Sequence, residues 1–375
     1  MGRVIWPVVL IFTAIWAGWL EFLVVRQAVD TWPVFKTDFT VFYTAARVPL
    51  DVVYDSAQLT AAQAWSGADG RHPRPFPYPP TFLFLLWPLG RLAVLPALVA
   101  WVTLGLGAFC LAARKLIGKA WPMILLSPAV LVGIISGQVV FLMGAGLMTG
   151  VIWLPKRPLL AGVAFGLAAT IKPQVLVFVP FALVFAGQWR TLGAAVVAGT
   201  LLGLASLAVH QGMWLQWVAA VREFNELISH EAWPAKISAT PVGFFKSLGV
   251  ENGWVLGAIA AVSAVSALAM VYRAFRRDDP VARYAALTVG YLLVAPYALW
   301  YELALLQPVA VVCMLDRRWI HRGGGLLAFA LFPRALGVLA LASTSLLERP
   351  ASREQSPKPV QGDSLPDGEA PRLVG

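Results

Sequence analysis

Long apolar runs separated by short clusters of basic residues make up most of this chain. The first run extends from about Val4 to Val25. Others cover roughly 93–113, 120–136, 138–154, 158–171, 174–188, 191–209, 254–272, 282–298, 303–315 and 325–346. A spanning helix needs about 20 apolar residues, with a lower bound near 17, so the longer runs predict membrane helices. The shorter ones predict steep hairpins, broken helices or partly re-entrant pieces, because backbone that leaves the helix inside a bilayer must be covered by protein. The expected fold is all-α and polytopic, with roughly nine to thirteen membrane segments and eleven as the central count. The first run is too long for a signal-peptide core and no small-x-small cleavage site follows it, so it predicts a retained helix.

Basic residues sit at alternate boundaries of these runs: Arg3; Arg114, Lys115 and Lys119; Lys156 and Arg157; Arg190; Arg273, Arg276, Arg277 and Arg283; Arg317, Arg318 and Arg322. An excess of Lys and Arg marks the cytoplasmic side. That places the N-terminus in the cytoplasm. The opposite side then holds two long loops, 26–92 and 210–253, and the bends near Gln138, Lys172 and Tyr301. Residues 1–346 read as a single membrane unit, and 347–375, which holds five prolines and few large apolar residues, as a disordered tail.

Composition agrees with this picture. The 375 residues are 59% hydrophobic and 13% charged, with a mean hydropathy of +0.73, and a soluble domain carries far more polar surface. The net charge of +10 is spread over short clusters between apolar runs, so it signals topology and not a nucleic-acid face. Cys110 and Cys313 both lie in apolar segments and match no metal or redox spacing. Gly133-x-x-x-Gly137 and Gly162-x-x-x-Gly166 have the spacing of close helix packing.

The first loop carries the most polar chemistry. "TDFTVFYTAARV" predicts a short helix over about Phe39 to Arg47, stopped by Pro49, with Phe39, Phe42, Tyr43 and Ala46 on a face laid on the membrane interface. A second short helix is expected after Asp55, which has capping-box spacing to Gln58, and runs to about Trp65. Five prolines between Pro73 and Pro80 then forbid regular helix and predict a stiff, ordered, extended lead into the next span.

Six motifs in order carry a family resemblance. They are Asp38-Phe39 followed by an aromatic and Ala-Ala, then "VVYD", "FPYPPTFLFLLWPLGRL", "SGQVVFLMGAGLM", "ATIKPQVLVFVPFAL" and "LVAPYALWYELALLQP". Over roughly residues 20 to 320 the chain resembles glycosyltransferase family 87, bacterial membrane mannosyl- and hexosyltransferases. The resemblance implies a GT-C fold in the cytoplasmic (inner) membrane and a polyprenyl-phosphate-linked sugar donor. It also implies a lipid or glycan acceptor, an active site facing the periplasm, and a loop carboxylate after the first helix acting as base. Members often carry aspartate after the aromatic of the late motif, where this chain has Glu302.

Such a transfer needs a base for the acceptor hydroxyl and donors for the leaving phosphate. Asp38 suits the first task; the other reading is an N-cap of the 39–47 helix. Asp51 and Asp55 read as turn and cap residues. For the phosphate, Lys172 stands at the end of an apolar helix before Pro173, although an interfacial lysine can also simply snorkel. Arg334, in the middle of the last apolar run, has three readings: a phosphate ligand, a partner of Glu302 or Glu21, or a sign that the run is not one span. Tyr43, Arg47, Tyr78, Gln138, Tyr301 and Glu302 complete the candidate donor- and acceptor-binding set; His210, His230, Glu231 and Lys236 are weaker candidates from the second loop. With no Asp-x-Asp pair to hold a divalent ion against a sugar nucleotide, neither metal nor cofactor is expected. The expected partners are the lipid-linked donor, the acceptor and membrane lipids. A lipid or oligosaccharide transporter or flippase, or a non-catalytic subunit of an envelope-polysaccharide machine, shares the composition. A transporter concentrates ionisable groups in mid-membrane, whereas here acids and aromatics gather in the first loop.

Overall fold

The computed structural model describes residues 38–66, 73–230, 237–316, 318–330 and 334–347, together with Ala235 and isolated positions in the first apolar run. Glu21, Glu231, Lys236 and the tail beyond 347 lie outside the described residues, as do the side chains of His230 and Arg334.

Two short helices open the described chain, α1 (Asp38–Ala45) and α2 (Ser56–Ala62). Asp55 caps α2 by accepting from the Gln58 amide at 2.9 Å, and the Gln58 side chain returns a hydrogen bond of 2.7 Å. The proline stretch stays extended until a 3-10 turn at Pro80–Phe82, the one-turn α3 (Leu83–Leu86) and then α4 (Val94–Ile117). Gly118, at φ +63°, ends α4 in a conformation that a β-carbon disfavours. A 3-10 segment (Gly118–Leu126) interrupted by Pro122 leads to α5 (Pro128–Ile135). Then come α6 (Val140–Trp153), α7 (Pro158–Ala169), a 3-10 turn (Pro173–Leu176) with α8 (Val179–Phe185), and α9 (Trp189–Val209). The second loop holds the amphipathic α10 (Met213–His230) and α11 (Pro241–Ser247). The chain finishes with α12 (Gly253–Phe275), α13 (Pro280–Val294), a 3-10 turn (Trp300–Leu306) with α14 (Gln307–Leu315), α15 (Trp319–Phe329) and α16 (Arg334–Leu347). Among the described residues there is no strand, only an isolated bridge between Ser238 and Leu299.

This is an all-α, polytopic membrane protein. Val94–Leu126, Trp189–Val209 and Gly253–Phe275 are long and apolar enough to cross a bilayer, and five shorter apolar helical stretches accompany them. Helix α9 exposes Val196, Val197, Leu201 and Leu204, and α12 exposes Val262 and Val265. Such surfaces are stable against lipid and not against water. Helix α13 is the opposite case: Arg283 through Leu293 are all buried, so it forms the centre around which the other helices stand. The runs 120–136 and 174–188 are broken helices, each entered through a 3-10 segment.

Two expectations are corrected. The run 325–346 is not one span but two antiparallel helices: Gly324 abuts Ala340 and Gly337 abuts Ala328 across α15 and α16. Arg334 therefore stands at the start of α16 and not in the middle of a helix. Nor does α1 lie flat on an interface, because Phe39 through Ala45 are all buried. The proline stretch folds over it, and Phe42 meets Tyr78, Phe82 and Trp101 edge to face at 5.2–5.9 Å. Aromatic pairs in this geometry add to their area burial.

The predicted glycine contact between membrane helices is present. A β-carbon on Gly162 would stand 2.3 Å from the Thr191 carbonyl oxygen, and one on Gly166 2.6 Å from that of Ala195, so α7 and α9 meet backbone to backbone. Gly166→Val is expected to cost about 1–3 kcal/mol through overpacking, read as a lowered unfolding midpoint in detergent. Gly193→Val, which meets nothing within 4 Å, serves as the control for an effect of valine at an uncrowded helical position.

Candidate active site

Among the described residues, the first loop packs on the segment before α4, the turn after α5 and the turn after α7, and this is the loop end of the bundle. At the loop end, four separate turns meet. The first is the start of α1. The Phe39 amide donates to the Ser136 carbonyl at 3.1 Å, and the Trp101 indole donates to the Gly137 carbonyl at 2.8 Å. Gly137 is at φ +61°, and a β-carbon there would come 2.7 Å from that of Phe39. Only glycine allows this turn to lie directly against α1. The result is that the Gln138 side-chain amide donates a hydrogen bond to the Asp38 carboxylate.

The third turn is 170–173, between α7 and its following 3-10 turn. Thr81 ties it to the proline stretch by donating to the Thr170 carbonyl at 2.5 Å. Lys172 caps that 3-10 turn, and its ammonium forms an ion pair with Glu302, from the fourth turn at 300–306. Tyr291 of α13 donates to the other Glu302 oxygen at 2.5 Å. The side chains of Lys172 and Glu302 are 8% and 3% exposed, so each charge needs the other. Gln138, Lys172, Tyr301 and Glu302 line one narrow cleft. Tyr78 and Tyr301 lie within electrostatic reach of both Asp38 and Glu302.

Asp38 is open to solvent at its surface, yet protein surrounds it. This enclosure raises its carboxyl above the usual aspartate range, and Arg74, Lys172 and the Gln138 hydrogen bond pull it back. Its solvent contact limits how far the rise goes. A carboxylate in this position can accept a proton from a hydroxyl, and the cations around it suit a nearby anion.

The other candidates divide clearly. Tyr78, Gln138, Lys172, Tyr301 and Glu302 gather around Asp38. Tyr43 and Arg47 do not: Tyr43 donates to the Leu92 carbonyl at 2.8 Å, and Arg47 donates to the Tyr43 hydroxyl at 2.7 Å while stacking on its ring. They stand at the other end of α1 and clamp it to the segment just before α4. His210 follows α9 at the start of the second loop, with its Nδ1 buried and without a hydrogen-bond partner. Glu302 has Lys172 and Tyr291 as partners.

Three contributors were missed at the sequence level. Arg74 belongs to "RHPRP", where it reads as one more loop cation; its backbone is held by Thr60 and Gln63. Tyr291 is hidden in an apolar run. Tyr297 stacks edge to face on Phe224 at 5.3 Å, so α10 covers the turn at 295–301, and the Ala239 amide donates to the Ala298 carbonyl at 2.7 Å beside it. Both loops thus roof the same polar site.

A helical membrane protein with one enclosed carboxylate–lysine–tyrosine site at its loop end defines the class. The profile of glycosyltransferase family 87 matches residues 76–296, more than half of the chain, and the chain belongs to that family. It is a membrane glycosyltransferase. The matched region contains Tyr78, Gln138 and Lys172 and leaves out Asp38 and Glu302. No curated protein and no solved structure matches the chain.

Removing one partner of a buried ion pair strands the other charge, so Glu302→Leu is expected to destabilise by about 3–5 kcal/mol. Lys172→Met combined with Glu302→Leu removes both charges and should recover most of that loss. Denaturant unfolding in detergent checks this, and a double variant as unstable as the single one would deny the coupling.

Proposed function

We propose that the protein moves a hexose, mannose by family resemblance, from a polyprenyl-phosphate-linked donor to a hydroxyl of a lipid or glycan acceptor on the periplasmic side of the inner membrane. The observation that carries this reading is Asp38: a solvent-accessible carboxylate, hydrogen-bonded by Gln138 and within the field of Arg74 and Lys172. The acceptor O–H gives its proton to the Asp38 carboxylate as its oxygen forms the bond to the anomeric carbon. The bond from that carbon to the phosphate oxygen breaks with its electron pair, leaving polyprenyl phosphate. An ammonium has three donors, so Lys172 can hold Glu302 and still turn a proton toward the departing phosphate, with Arg74 beside it. Tyr78, Tyr297 and Tyr301 supply aromatic faces and hydroxyls of the kind that hold a sugar ring.

Asp38→Asn keeps the side chain's size and its hydrogen bonding but removes the proton acceptor. Transfer from radiolabelled polyprenyl-phosphate mannose should fall about 10²–10⁴-fold with donor binding and melting temperature near wild type. Activity within a few-fold of wild type would reject the base, and an equal loss in Asp51→Asn or Asp55→Asn would assign it to another aspartate.

A raised Asp38 carboxyl also sets a pH limb. The base works only when ionised, so kcat/KM should rise with pH through a midpoint above the ordinary aspartate value of about 3.9, and Asp38→Asn should lack that limb.

Orientation is tested with fusions. Alkaline phosphatase joined after residue 60 should be active, and joined after Arg276 inactive, because the arginine clusters mark the cytoplasmic side.

A further inference from the structure

A second cavity, of about 320 Å³, opens at the opposite end of the bundle between α12, α13, α14 and α15. Its rim is built from charge and its floor is apolar. Arg273 in the last turn of α12 and Arg277 just beyond its C-terminus line it, as do Arg318 and His321 from the far wall, while Ala282 and Cys313 belong to the floor.

Basic residues at this boundary are expected for topology alone, but topology requires only that they reach water or headgroups. Arg276 does this: it is exposed and stacks over Tyr272. Arg273 and Arg277 instead are half-buried and turned into the cavity. Two carboxylates line the same space. Asp279 caps α13, accepting from the Val281 and Ala282 amides at 2.9 and 3.1 Å. Asp316 accepts from Arg318 at 2.8 Å and lies 3.1 Å from His321. Its hydrogen bonds from Arg318 hold its carboxyl well below the usual range, so it stays ionised. Three arginines against two aspartates leave the lining with one net positive charge when His321 is neutral.

We propose that this cavity binds a phosphate ester at the cytoplasmic face, with the arginines on the phosphate and the apolar floor against the attached chain. The guanidinium fork matches phosphate geometry. Basic pockets between membrane helices on this side suit phospholipid headgroups, and a soluble phosphate ester could reach the same groups. This site is independent of the transfer reaction at the loop end.

Cys313 provides the readout. The chain has two cysteines, so Cys110→Ser leaves Cys313 alone on the cavity wall. The full chain in phosphatidylcholine nanodiscs is alkylated with N-ethylmaleimide, an uncharged reagent that bilayer charge does not concentrate or repel. Including phosphatidylglycerol should slow alkylation of Cys313 about tenfold at a ligand level ten times the dissociation constant. Adding glycerol 1-phosphate to phosphatidylcholine discs is the soluble arm: protection by it assigns the site to a soluble ester, and protection by phosphatidylglycerol alone assigns it to a lipid. Arg273→Gln with Arg277→Gln should abolish the protection, whereas Arg114→Gln with Lys115→Gln, another pair at the same face, should keep it. Ala282→Leu retains every charge and fills the cavity, and should abolish it too, which covers the case in which the arginine pair does not fold. Absence of protection by either compound, or protection that persists in the folded arginine pair or in Ala282→Leu, overturns the proposal.

Discussion

The buried pair of Lys172 and Glu302 is the constraint from which the loop end of this protein is organised. An ammonium and a carboxylate removed from water at this depth each carry a desolvation cost that only close pairing and further hydrogen bonds offset. Tyr291 supplies one of those bonds from the central helix α13. The pair therefore holds the turn after α7 against the turn before α14, and both against the buried central helix α13. Pairing of this kind is weak evidence for net stability, since a well-packed apolar core does as well. Its value here is positional: it holds a lysine within the field of Asp38.

Around that pair, the loop end is assembled by close backbone approach. Gly137 lets the 136–138 turn lie on Phe39, and that contact delivers Gln138 to Asp38. The proline stretch is stiff before it packs, so burying Phe76, Tyr78 and Phe82 costs it less conformational entropy than a flexible loop would lose. Helices α10 and α11 close the other side through Phe224 and the Ala239–Ala298 hydrogen bond. An enclosed site strengthens the electrostatic effect of every fixed donor on charge developing in a reaction. The opposite end is different in kind, because its arginines ring an apolar-floored cavity.

The class of the fold was legible because hydrophobicity is a local property. Apolar runs of near-spanning length, basic clusters at alternate boundaries and short runs broken by proline are all written along the chain, and lipid rewards them one segment at a time. The Gly162-x-x-x-Gly166 contact was legible for a similar reason, since its spacing fits one helix face. The pairing of α15 and α16 was only hinted at, because the run 325–346 has the length and composition of a single span and Arg334 admitted three readings; the approach of Gly337 to Ala328 selects the one in which the run is broken.

The site divides along the same line. Asp38, Lys172, Gln138, Tyr301 and Glu302 could be picked out from residue type and position at the ends of apolar runs, because polar groups there need a reason. Which of them meet was decided by tertiary structure. Tyr43 and Arg47 looked equivalent to the rest and are instead a clamp on Leu92, one helix length from Asp38. Arg74 looked ordinary and lies within the field of Asp38, and Tyr291, hidden in an apolar run, bonds Glu302. The sequence alone determined that the chain is a polytopic membrane protein and where most of its apolar segments end, since these follow from the free energy of moving each segment between water and lipid. Only the packed structure decided partners, because a hydrogen bond or ion pair depends on distances of a few ångströms between residues as far apart as Lys172 and Glu302, and no local pattern encodes those.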